Sequence, residues 1–263
     1  MLSRGLSSLK RGSAAKNKMA AEWEAPSVIT KLYPEKFAAN SMELKPTGNA
    51  PVAGPRVEKA LEKGSARFQL YSVATPNGQK AGIVLEEMGV EYDAHIIHIG
   101  KGDQFGSAFT EVNPNGKIPA LVDQDGPNGE PLHIMESGAL LLHMAEQTGK
   151  FLPSDPRDRM STIQWLFWQA GSQGPMLGQF NHFYKYAPRT ETAAITYGVT
   201  RYGMETQRLM SVLENQLQLN KFVACDDYTI ADMAIYPWAA AIVNNAEEFL
   251  ETEKYPRVNE WVA

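Results

Sequence analysis

The sequence predicts an α/β domain followed by an all-helical domain. Segments that alternate between apolar and polar residues with period two, as strands do, occur only before Phe151. Pro153 and Pro156 then mark a linker, and the apolar residues beyond it recur at helical spacing. We therefore expect an α/β domain over 65–150 and an all-helical domain over 151–263.

The α/β domain is predicted to have the element order β-α-β-α-β-β-α, which is that of a small thioredoxin-like layer. Its first strand has Phe68 and Leu70 on one face, and its last helix places Leu140, Leu141 and Met144 on one face. In chain order, the predicted segments are a strand over Arg67–Val73, a helix over Gln79–Gly89, a strand over Tyr92–Ile99, a loop and short helix over Lys101–Val112, a short apolar segment over Lys117–Asp123, a strand over Pro131–Met135 and a helix over Glu136–Thr148.

Three long helices are predicted in the second domain, over Asp158–Gly171, Tyr197–Leu219 and Thr229–Val243. The last of these opens with Thr229-Ile-Ala-Asp232, which fits the S/T-x-x-D pattern of a helix N-terminus. Taken alone, this pattern predicts a capped helix rather than a binding site.

The N-terminal segment differs in charge from the rest of the chain. The first 21 residues contain five basic residues and no acidic residue, although the whole chain has a net charge of −5. This composition is typical of an organelle transit peptide over 1–18; a solvated tail, with Met19 as the initiator, is the alternative. Residues 19–64 contain five prolines and are expected to form an irregular extension. The protein is therefore expected in the cytoplasm, or in mitochondria or plastids if the segment directs import, and not outside the cell.

Composition also excludes several classes of function. The negative net charge argues against nucleic-acid binding, and no apolar run reaches the roughly 18 residues that span a bilayer. The single cysteine, Cys225, cannot form a disulfide framework or a cysteine-rich zinc site. His95 and His98 lie at i and i+3 of a predicted strand and so on opposite faces, and we expect no metal.

Three short segments have both a structural and a functional interpretation. Pro119 removes a strand donor, so Asn115–Ala120 is either an edge strand or a cis turn that would present the backbone of Ile118 to an extended peptide. Glu136-Ser137-Gly138 is either a simple N-cap or a site for a carboxylate and an ammonium group. Thr75-Pro-Asn-Gly78 is either a turn with an N-cap or a site that stabilises a bound thiolate.

Taken in order, these segments resemble the glutathione transferase family. The matching runs are Y-S-x-x-T-P-N-G-Q-K, N-P-N-G-K-I-P-A-L, E-S-G, W-L-F-W and F-V-A-C-D-D-Y-T-I-A-D-M-A-I-Y-P-W. The similarity extends from about Asn49 to the C-terminus. Thr75-Pro-Asn77, Gly102-Asp-Gln-Phe105 and the run at 180–188 resemble the nu class, the branch of YghU-like bacterial and fungal glutathione-dependent disulfide oxidoreductases.

The resemblance implies a thioredoxin-like glutathione-binding domain plus an all-α domain, usually assembled as a homodimer. It assigns Thr75 and Asn77 to stabilising the glutathione sulfur, where other classes use tyrosine, serine or cysteine. In this branch two glutathione molecules can share one site, which makes Asn49 and Gln104 candidate contacts. Asn49 is followed by Ala50, where the branch often has arginine.

The same resemblance assigns the remaining glutathione contacts and the second pocket. Ile118, before a cis Pro119, would pair with the glutathione backbone, and Lys117 would meet its glycyl carboxylate. The γ-glutamyl group would be held by Glu136 and Ser137. The expected wall of the pocket for the second thiol compound is aromatic and comprises Phe180, His182, Phe183, Tyr184 and Tyr186.

The expected reaction is therefore glutathione-dependent thiol–disulfide exchange. With no cysteine at the predicted catalytic position, the nucleophile is the thiolate of bound glutathione, which attacks a small-molecule or mixed disulfide. Conjugation of electrophiles and reduction of hydroperoxides are the expected side activities, and a non-enzymatic regulatory or binding module of the same fold is the alternative.

The C-terminal end departs from the family pattern. The chain ends at Ala263, two residues after Trp261, where the family's last core helix should be under way. A shortened native protein and an incomplete gene model both explain this end. We favour the second and expect the helical domain to be truncated.

Overall fold

A computed structural model of the chain describes residues 53–186, 192–245 and 250–263. The predicted transit peptide and Asn49 lie outside these ranges. The chain divides into two units: the described part of the smaller unit comprises 53–61 and 99–116, and the larger unit comprises 62–98 and the described residues from Lys117 onward.

The larger unit contains a four-stranded mixed sheet with the order β2-β1-β3-β4. In this sheet β1 is parallel to β2 and antiparallel to β3, and β3 is antiparallel to β4. The strands are β1 (Phe68–Ser72), β2 (Tyr92–Ile96), β3 (Ala120–Asp123) and β4 (Leu132–Met135). This mixed sheet agrees with the thioredoxin-like layer predicted from the sequence.

The strand register shows which residues lie together at each end of the strands. Phe68 of β1 pairs with Asp123 of β3 at one end of the sheet. Near the opposite end, Tyr71 of β1 pairs with Ala120 of β3, which also pairs with Met135 of β4. Because β3 lies between β1 and β4, the edge-strand interpretation of the segment around Pro119 is wrong. The peptide bond from Ile118 to Pro119 is cis, as the alternative interpretation predicted.

A helix begins where β1 and β4 each end. The helix after β1 is α1 (Pro76–Met88), and the helix after β4 is α3 (Ser137–Thr148). At the end of α1, Gly89 has φ 66° and ψ 37°, a left-handed conformation that a glycine adopts without strain, and its N–H donates to the carbonyls of the last helical turn.

After Thr148, the described residues of the larger unit form helices and the segments that connect them, with no further strand. Its helices are α4 (Pro156–Trp168), α5 (Gly174–Asn181), α6 (Thr192–Leu217), α7 (Ile230–Asn245) and α8 (Pro256–Val262), with π-helical segments at Gln169–Gln173 and His182–Tyr186. The three predicted long helices correspond to α4, α6 and α7. The sequence analysis did not identify α5, whereas α8 lies where the resemblance implied that a last core helix should be under way.

The predicted capping pattern at the start of α7 is confirmed. The carboxylate of Asp232 accepts hydrogen bonds from the Thr229 N–H (3.0 Å), the Thr229 hydroxyl (3.1 Å) and the Val223 N–H (2.9 Å). The Thr229 hydroxyl oxygen also accepts from the Ala231 N–H at 3.2 Å. Orphan donors at the helix start are thereby satisfied, which fixes the first turn of α7.

Two hydrophobic cores organise the larger unit. The first combines strand residues such as Leu70 and Leu121 with the apolar faces of α1 and α3, and includes Ile230 and Met233 of α7. The second is formed by the helices and includes Leu213. Because α7 contributes to both cores, its side chains are fixed on both faces.

In the smaller unit, the described residues form α2 (Ser107–Val112) and two short 3₁₀ turns. Val57 forms a parallel β-bridge with Gly106, and Lys59 forms an ion pair with Asp103 at 2.7 Å. The guanidinium of Arg56 lies 3.5 Å from the centroid of the Phe105 ring. These contacts tie residues 53–61 to 99–116.

Among the helices described, none is both long and apolar enough to cross a membrane. Within the described ranges, no three His, Cys, Asp or Glu side chains are grouped in a way that could hold a metal ion.

Candidate functional site

The candidate site is built on the N-termini of two helices, α1 and α3, which begin where β1 and β4 end. A helix N-terminus carries a partial positive charge and unpaired N–H groups, so both helices favour a negatively charged ligand. The side chains at these two starts determine which negative group each one can hold.

Thr75 is the N-cap of α1, with its hydroxyl oxygen accepting from the Gly78 N–H at 3.1 Å. This is the capping interaction that the structural interpretation predicted. The bond uses the oxygen as an acceptor, so the hydroxyl proton can still be donated to a ligand. The structural and functional interpretations of Thr75 are therefore compatible.

Gly78 allows α1 to start this close to β1. A Cβ at this position would lie 1.9 Å from the carbonyl oxygen of Val73, a distance no side chain can adopt. The first turn of α1, which carries Thr75 and Asn77, thus packs directly on the backbone that leaves the strand.

Asn77 has a fixed partner in the helical part of the chain. Its Oδ1 accepts a hydrogen bond from the Trp238 Nε1–H at 2.9 Å. Trp238 belongs to α7 and is buried. Since Oδ1 accepts this bond, the two Nδ2–H donors of Asn77 are not required by the tryptophan.

The start of α3 has an unusual backbone conformation. Glu136 occupies the N-cap with φ 69° and ψ 117°, a region that residues with a side chain rarely adopt, and its side chain makes no capping hydrogen bond. Simple N-capping by this tripeptide is therefore not what the structure has. The first N–H groups of α3 lack a side-chain cap, and the Glu136 carboxylate is exposed.

Ser137 contacts a buried lysine. The ammonium group of Lys80 donates to Ser137 Oγ at 3.3 Å and to Gln169 Oε1 at 2.5 Å. Lys80 is only 1% exposed. Burial lowers the pKa of Lys80 to about 7, an effect that the negative charge of Glu136 partly opposes.

Sequence reasoning did not identify Lys80, Gln169 or Trp238 as parts of the site. For Lys80 a signal existed, because it lies on the buried face of α1 with Ala81, Val84 and other apolar residues. A lysine at a core position of an amphipathic helix requires a polar partner.

Ile118 and Pro119 immediately precede β3, with Pro119 buried and Ile118 half-buried. Lys117 is exposed at the same turn. The structure thus places these three residues next to the β3 end that pairs with the end of β4, where α3 begins.

The aromatic side chains predicted to line the second pocket differ in how deeply they are buried. Phe180 is 2% exposed and packs in the second core, where Tyr184 stacks on it with centroids 5.5 Å apart. Phe183 stacks on Tyr202 of α6 at 5.6 Å, whereas His182 is exposed. Tyr186 is likewise exposed. Phe180 is therefore a core residue, whereas His182 and Tyr186 are accessible to a ligand.

Gln104 lies in a 3₁₀ turn of the smaller unit. It is buried, and its Nε2 donates to the Ile99 carbonyl at 3.3 Å. This hydrogen bond lies within the smaller unit and uses one N–H donor of the Gln104 carboxamide.

Cys225 is buried, and burial is the main cause that raises the pKa of its thiol. A thiol of this kind is mostly protonated at neutral pH and reacts poorly as a nucleophile. Packing, as the sequence indicated, is its role.

Comparison with known proteins agrees with this architecture. The family description "Glutathione S-transferase, N-terminal domain" matches residues 74–147, and "Glutathione S-transferase, C-terminal domain" matches residues 204–263. The disulfide-bond oxidoreductase YghU of Escherichia coli K12 is 49% identical over 223 residues, which cover 81% of this chain and 75% of the relative. This chain belongs to the glutathione S-transferase family.

Solved structures of other glutathione transferases have the same fold. Glutathione transferase YghU from Streptococcus pneumoniae, complexed with glutathione, superposes with a TM-score of 0.79 at 40% identity, covering 92% of each chain. A glutathione transferase from Burkholderia graminis has two glutathione molecules bound per subunit; it superposes with a TM-score of 0.71 at 36% identity, covering 89% of this chain and 86% of that one.

The two glutathione S-transferase matches divide the site between them. The N-terminal match contains Thr75, Asn77 and Ser137, and the C-terminal match contains Trp238. The hydrogen bond from Trp238 to Asn77 thus joins the two family domains.

Proposed function

We propose that this chain is a glutathione-dependent disulfide oxidoreductase that uses the thiolate of bound glutathione as its nucleophile. The observation that carries the proposal is the start of α1, where the Thr75 hydroxyl and the Asn77 carboxamide both retain hydrogen-bond donors. Donors at a positive helix end favour a thiolate over a thiol. The name of the E. coli relative supports the same activity.

The proposed reaction proceeds by two exchanges. Bound glutathione thiolate attacks one sulfur of the disulfide, forms a mixed disulfide and releases the other half as a thiolate. A second glutathione thiolate then attacks the glutathione sulfur of the mixed disulfide, giving oxidised glutathione and the second substrate thiolate. One disulfide is reduced and two glutathione molecules are oxidised, so electrons balance without a protein cysteine.

The rest of the glutathione is proposed to bind along the end of the sheet where α3 begins. The Glu136 carboxylate takes the γ-glutamyl ammonium group, while Ser137 and the first N–H groups of α3 take the adjacent carboxylate. The backbone of Ile118, before Pro119, pairs with the glutathione backbone, and Lys117 meets the glycyl carboxylate. Both charged ends of the ligand then face groups of opposite sign.

The second substrate is proposed to bind against the aromatic segment at 182–186, with Tyr184 and the exposed Tyr186 as apolar surface. We propose a second glutathione in the same site, contacted by Asn49 and Gln104, as two bound glutathiones occur in the Burkholderia relative. Holding two sulfur compounds together would make the second exchange effectively intramolecular. We also propose that the chain acts as a homodimer.

Substitutions at the α1 start test the proposal directly. Asn77→Ala should lower kcat/KM for reduction of 2-hydroxyethyl disulfide on the order of 10²-fold, because a donor that favours the thiolate of bound glutathione over its thiol is lost. Thr75→Ala should lower it by about tenfold. Asn215→Ala, an exposed position on α6, is the matched control and should retain the activity of the parent.

Three assays distinguish this reaction from the alternatives. Disulfide reduction should exceed both conjugation of chlorodinitrobenzene and reduction of cumene hydroperoxide. Parent-like turnover in both variants would contradict the roles of Thr75 and Asn77. If all three assays were silent and calorimetry detected no glutathione binding, the chain would instead be a non-enzymatic binding module.

A further inference from the structure

Among the hydrogen bonds described, the side-chain oxygen of Asn77 accepts one, from Trp238, which lies 161 positions later in the chain. The indole is 7% exposed and its Nε1 lies 2.9 Å from Asn77 Oδ1. A buried tryptophan N–H normally requires an acceptor, and here that acceptor is the residue proposed to stabilise the glutathione sulfur.

The chemistry of the indole determines which way the carboxamide faces. An indole N–H can donate a hydrogen bond but cannot accept one, whereas a carboxamide has one acceptor oxygen and one donor NH₂ group. The atom of Asn77 facing Trp238 must therefore be Oδ1. Rotation of the carboxamide by half a turn would place two donors against each other and Oδ1 where a donor is needed.

The indole itself is held in place by α5. A Cβ at Gly178 would lie 3.5 Å from the indole Cη2, and a Cβ at Gly174 would lie 3.6 Å from Nε1. These two glycines are one helical turn apart, so they form a surface without side chains against which the ring packs. The neighbouring Ala239 of α7 is fully buried in the second core.

We propose that Trp238 is a positioning residue, whose indole N–H fixes the Asn77 carboxamide so that Nδ2–H donates to the glutathione sulfur. This inference rests on the proposed function. Trp238 does not touch the sulfur in this scheme; it acts through Asn77, so the donor set at the start of α1 is completed by a residue of the helical domain.

Trp238→Phe removes the indole N–H while keeping an aromatic ring. We expect kcat for 2-hydroxyethyl disulfide reduction to fall by about tenfold, because the Asn77 carboxamide loses the hydrogen bond that orients it, with less than about a twofold change in the KM for glutathione. The pKa of the bound glutathione thiol, followed by ultraviolet thiolate absorbance, should rise. Trp165→Phe, the same substitution at a half-buried tryptophan of α4, is the matched control and should change neither quantity.

A double-mutant cycle with Asn77→Ala separates positioning from general packing. If Trp238 acts through Asn77, adding Trp238→Phe to the Asn77→Ala variant should change kcat by less than about twofold. A tenfold further loss in that background would overturn the inference and leave the proposed function intact. Parent-like kinetics of Asn77→Ala alone would instead contradict the proposed function.

A measurement on folded protein covers the case in which Trp238→Phe does not fold. The chain has five tryptophans, so a ¹⁵N spectrum resolves at most five indole N–H signals. In the Asn77→Ala variant, one of these signals should move upfield because its hydrogen bond is lost. Unchanged positions of all the indole signals would overturn the inference.

Discussion

The larger unit contains two buried charged residues, Asp123 and Lys80, whose charges are compensated to different extents. Asp123 lies at the end of the sheet where β1 begins, whereas Lys80 contacts Ser137 at the opposite end of the strands, where α3 begins. Both residues are almost completely buried. They differ in how well their charges are compensated.

The charge of Asp123 is fully compensated. Its carboxylate accepts two hydrogen bonds from Arg67, at 2.7 and 2.9 Å, one from the Asp125 N–H at 3.1 Å, and lies 3.1 Å from His143 Nε2. Burial alone would raise the pKa of Asp123, but hydrogen bonds from these partners outweigh it and the pKa is lowered. The fold stabilises this charge.

The charge of Lys80 is compensated only in part. Its hydrogen-bond partners, Ser137 and Gln169, are neutral, and the nearby carboxylate of Glu136 does not offset the effect of burial. The fold therefore tolerates a cation that an anion bound at the start of α3 would stabilise. We therefore expect Asp123 to contribute mainly to stability and Lys80 to contribute to anion binding at the start of α3.

Removing the compensated charge should have the largest effect on stability. Asp123→Ala should lower the free energy of unfolding by about 3 kcal/mol, because it leaves Arg67 and His143 without their shared partner. A lowered pKa stabilises the fold above the unfolded value of about 3.9, so this difference should shrink as the pH falls through the folded pKa. Urea denaturation of both proteins at several pH values between 3 and 7 measures this difference in the free energy of unfolding.

Asp125→Ala, which removes an exposed acidic side chain of the same charge two residues away, is the matched control and should stay within about 0.5 kcal/mol of the parent. Equal destabilisation by both variants would remove the contrast between Asp123 and Lys80.

Removing the partly compensated charge should have the opposite effect on stability. Lys80→Met should raise the free energy of unfolding at pH 7 by about 1 kcal/mol, because an isosteric apolar side chain avoids the burial of a cation. It should also weaken glutathione binding by about tenfold, since Ser137 loses its charged donor. Denaturation and calorimetry measure the two quantities, with Lys63→Met at an exposed position as the control.

The pH dependence of the Lys80 effect has a defined sign. The pKa is about 7 in the folded state and 10.5 as a free side chain, so between these values the unfolded state binds more protons. The parent should therefore gain stability as the pH rises through this window, and Lys80→Met should lack that gain. A parallel slope in both proteins would show that Lys80 is not the group responsible.

The smallest effect is expected at the single cysteine. Cys225→Ala should change kcat/KM for disulfide reduction by less than about twofold, because the buried thiol with its raised pKa takes no part in the exchange. Steady-state kinetics measures this, and the unmodified parent should also resist alkylation by iodoacetamide. A tenfold loss of activity would mean that the nucleophile comes from the protein.

Local pattern was sufficient to predict much of the fold. The alternation in β1 and the apolar faces of α1 and α3 were visible in the sequence, and the structure has these elements within a few residues of the predicted bounds. The segment of α5 was not predicted, because Gly174, Pro175 and Gly178 disfavour a helix by propensity. There, burial of Leu177 and Phe180 in the second core outweighs local preference.

Candidate site residues could be selected from the sequence at two helix starts and at the turn before Pro119, but their partners in the fold could not. Thr75, Asn77 and Ser137 could be selected because they follow strands, but the partners of Asn77 and Ser137 come from other parts of the chain. No periodicity relates position 77 to position 238. Such pairs follow from tertiary packing, which a single sequence does not display.

Three glycines shape this site through the space that they leave. Gly78 lets α1 approach the Val73 carbonyl, and Gly174 and Gly178 accommodate the indole of Trp238. A Cβ at Gly78 would lie 1.9 Å from that carbonyl oxygen, so any substitution there would displace the start of α1 and disturb the site, although glycine carries no reactive group. A Cβ at Gly178 would make only ordinary van der Waals contact with the indole, so alanine should be tolerated there. Chemical labelling would not reveal the importance of Gly78, because glycine has no side chain to label.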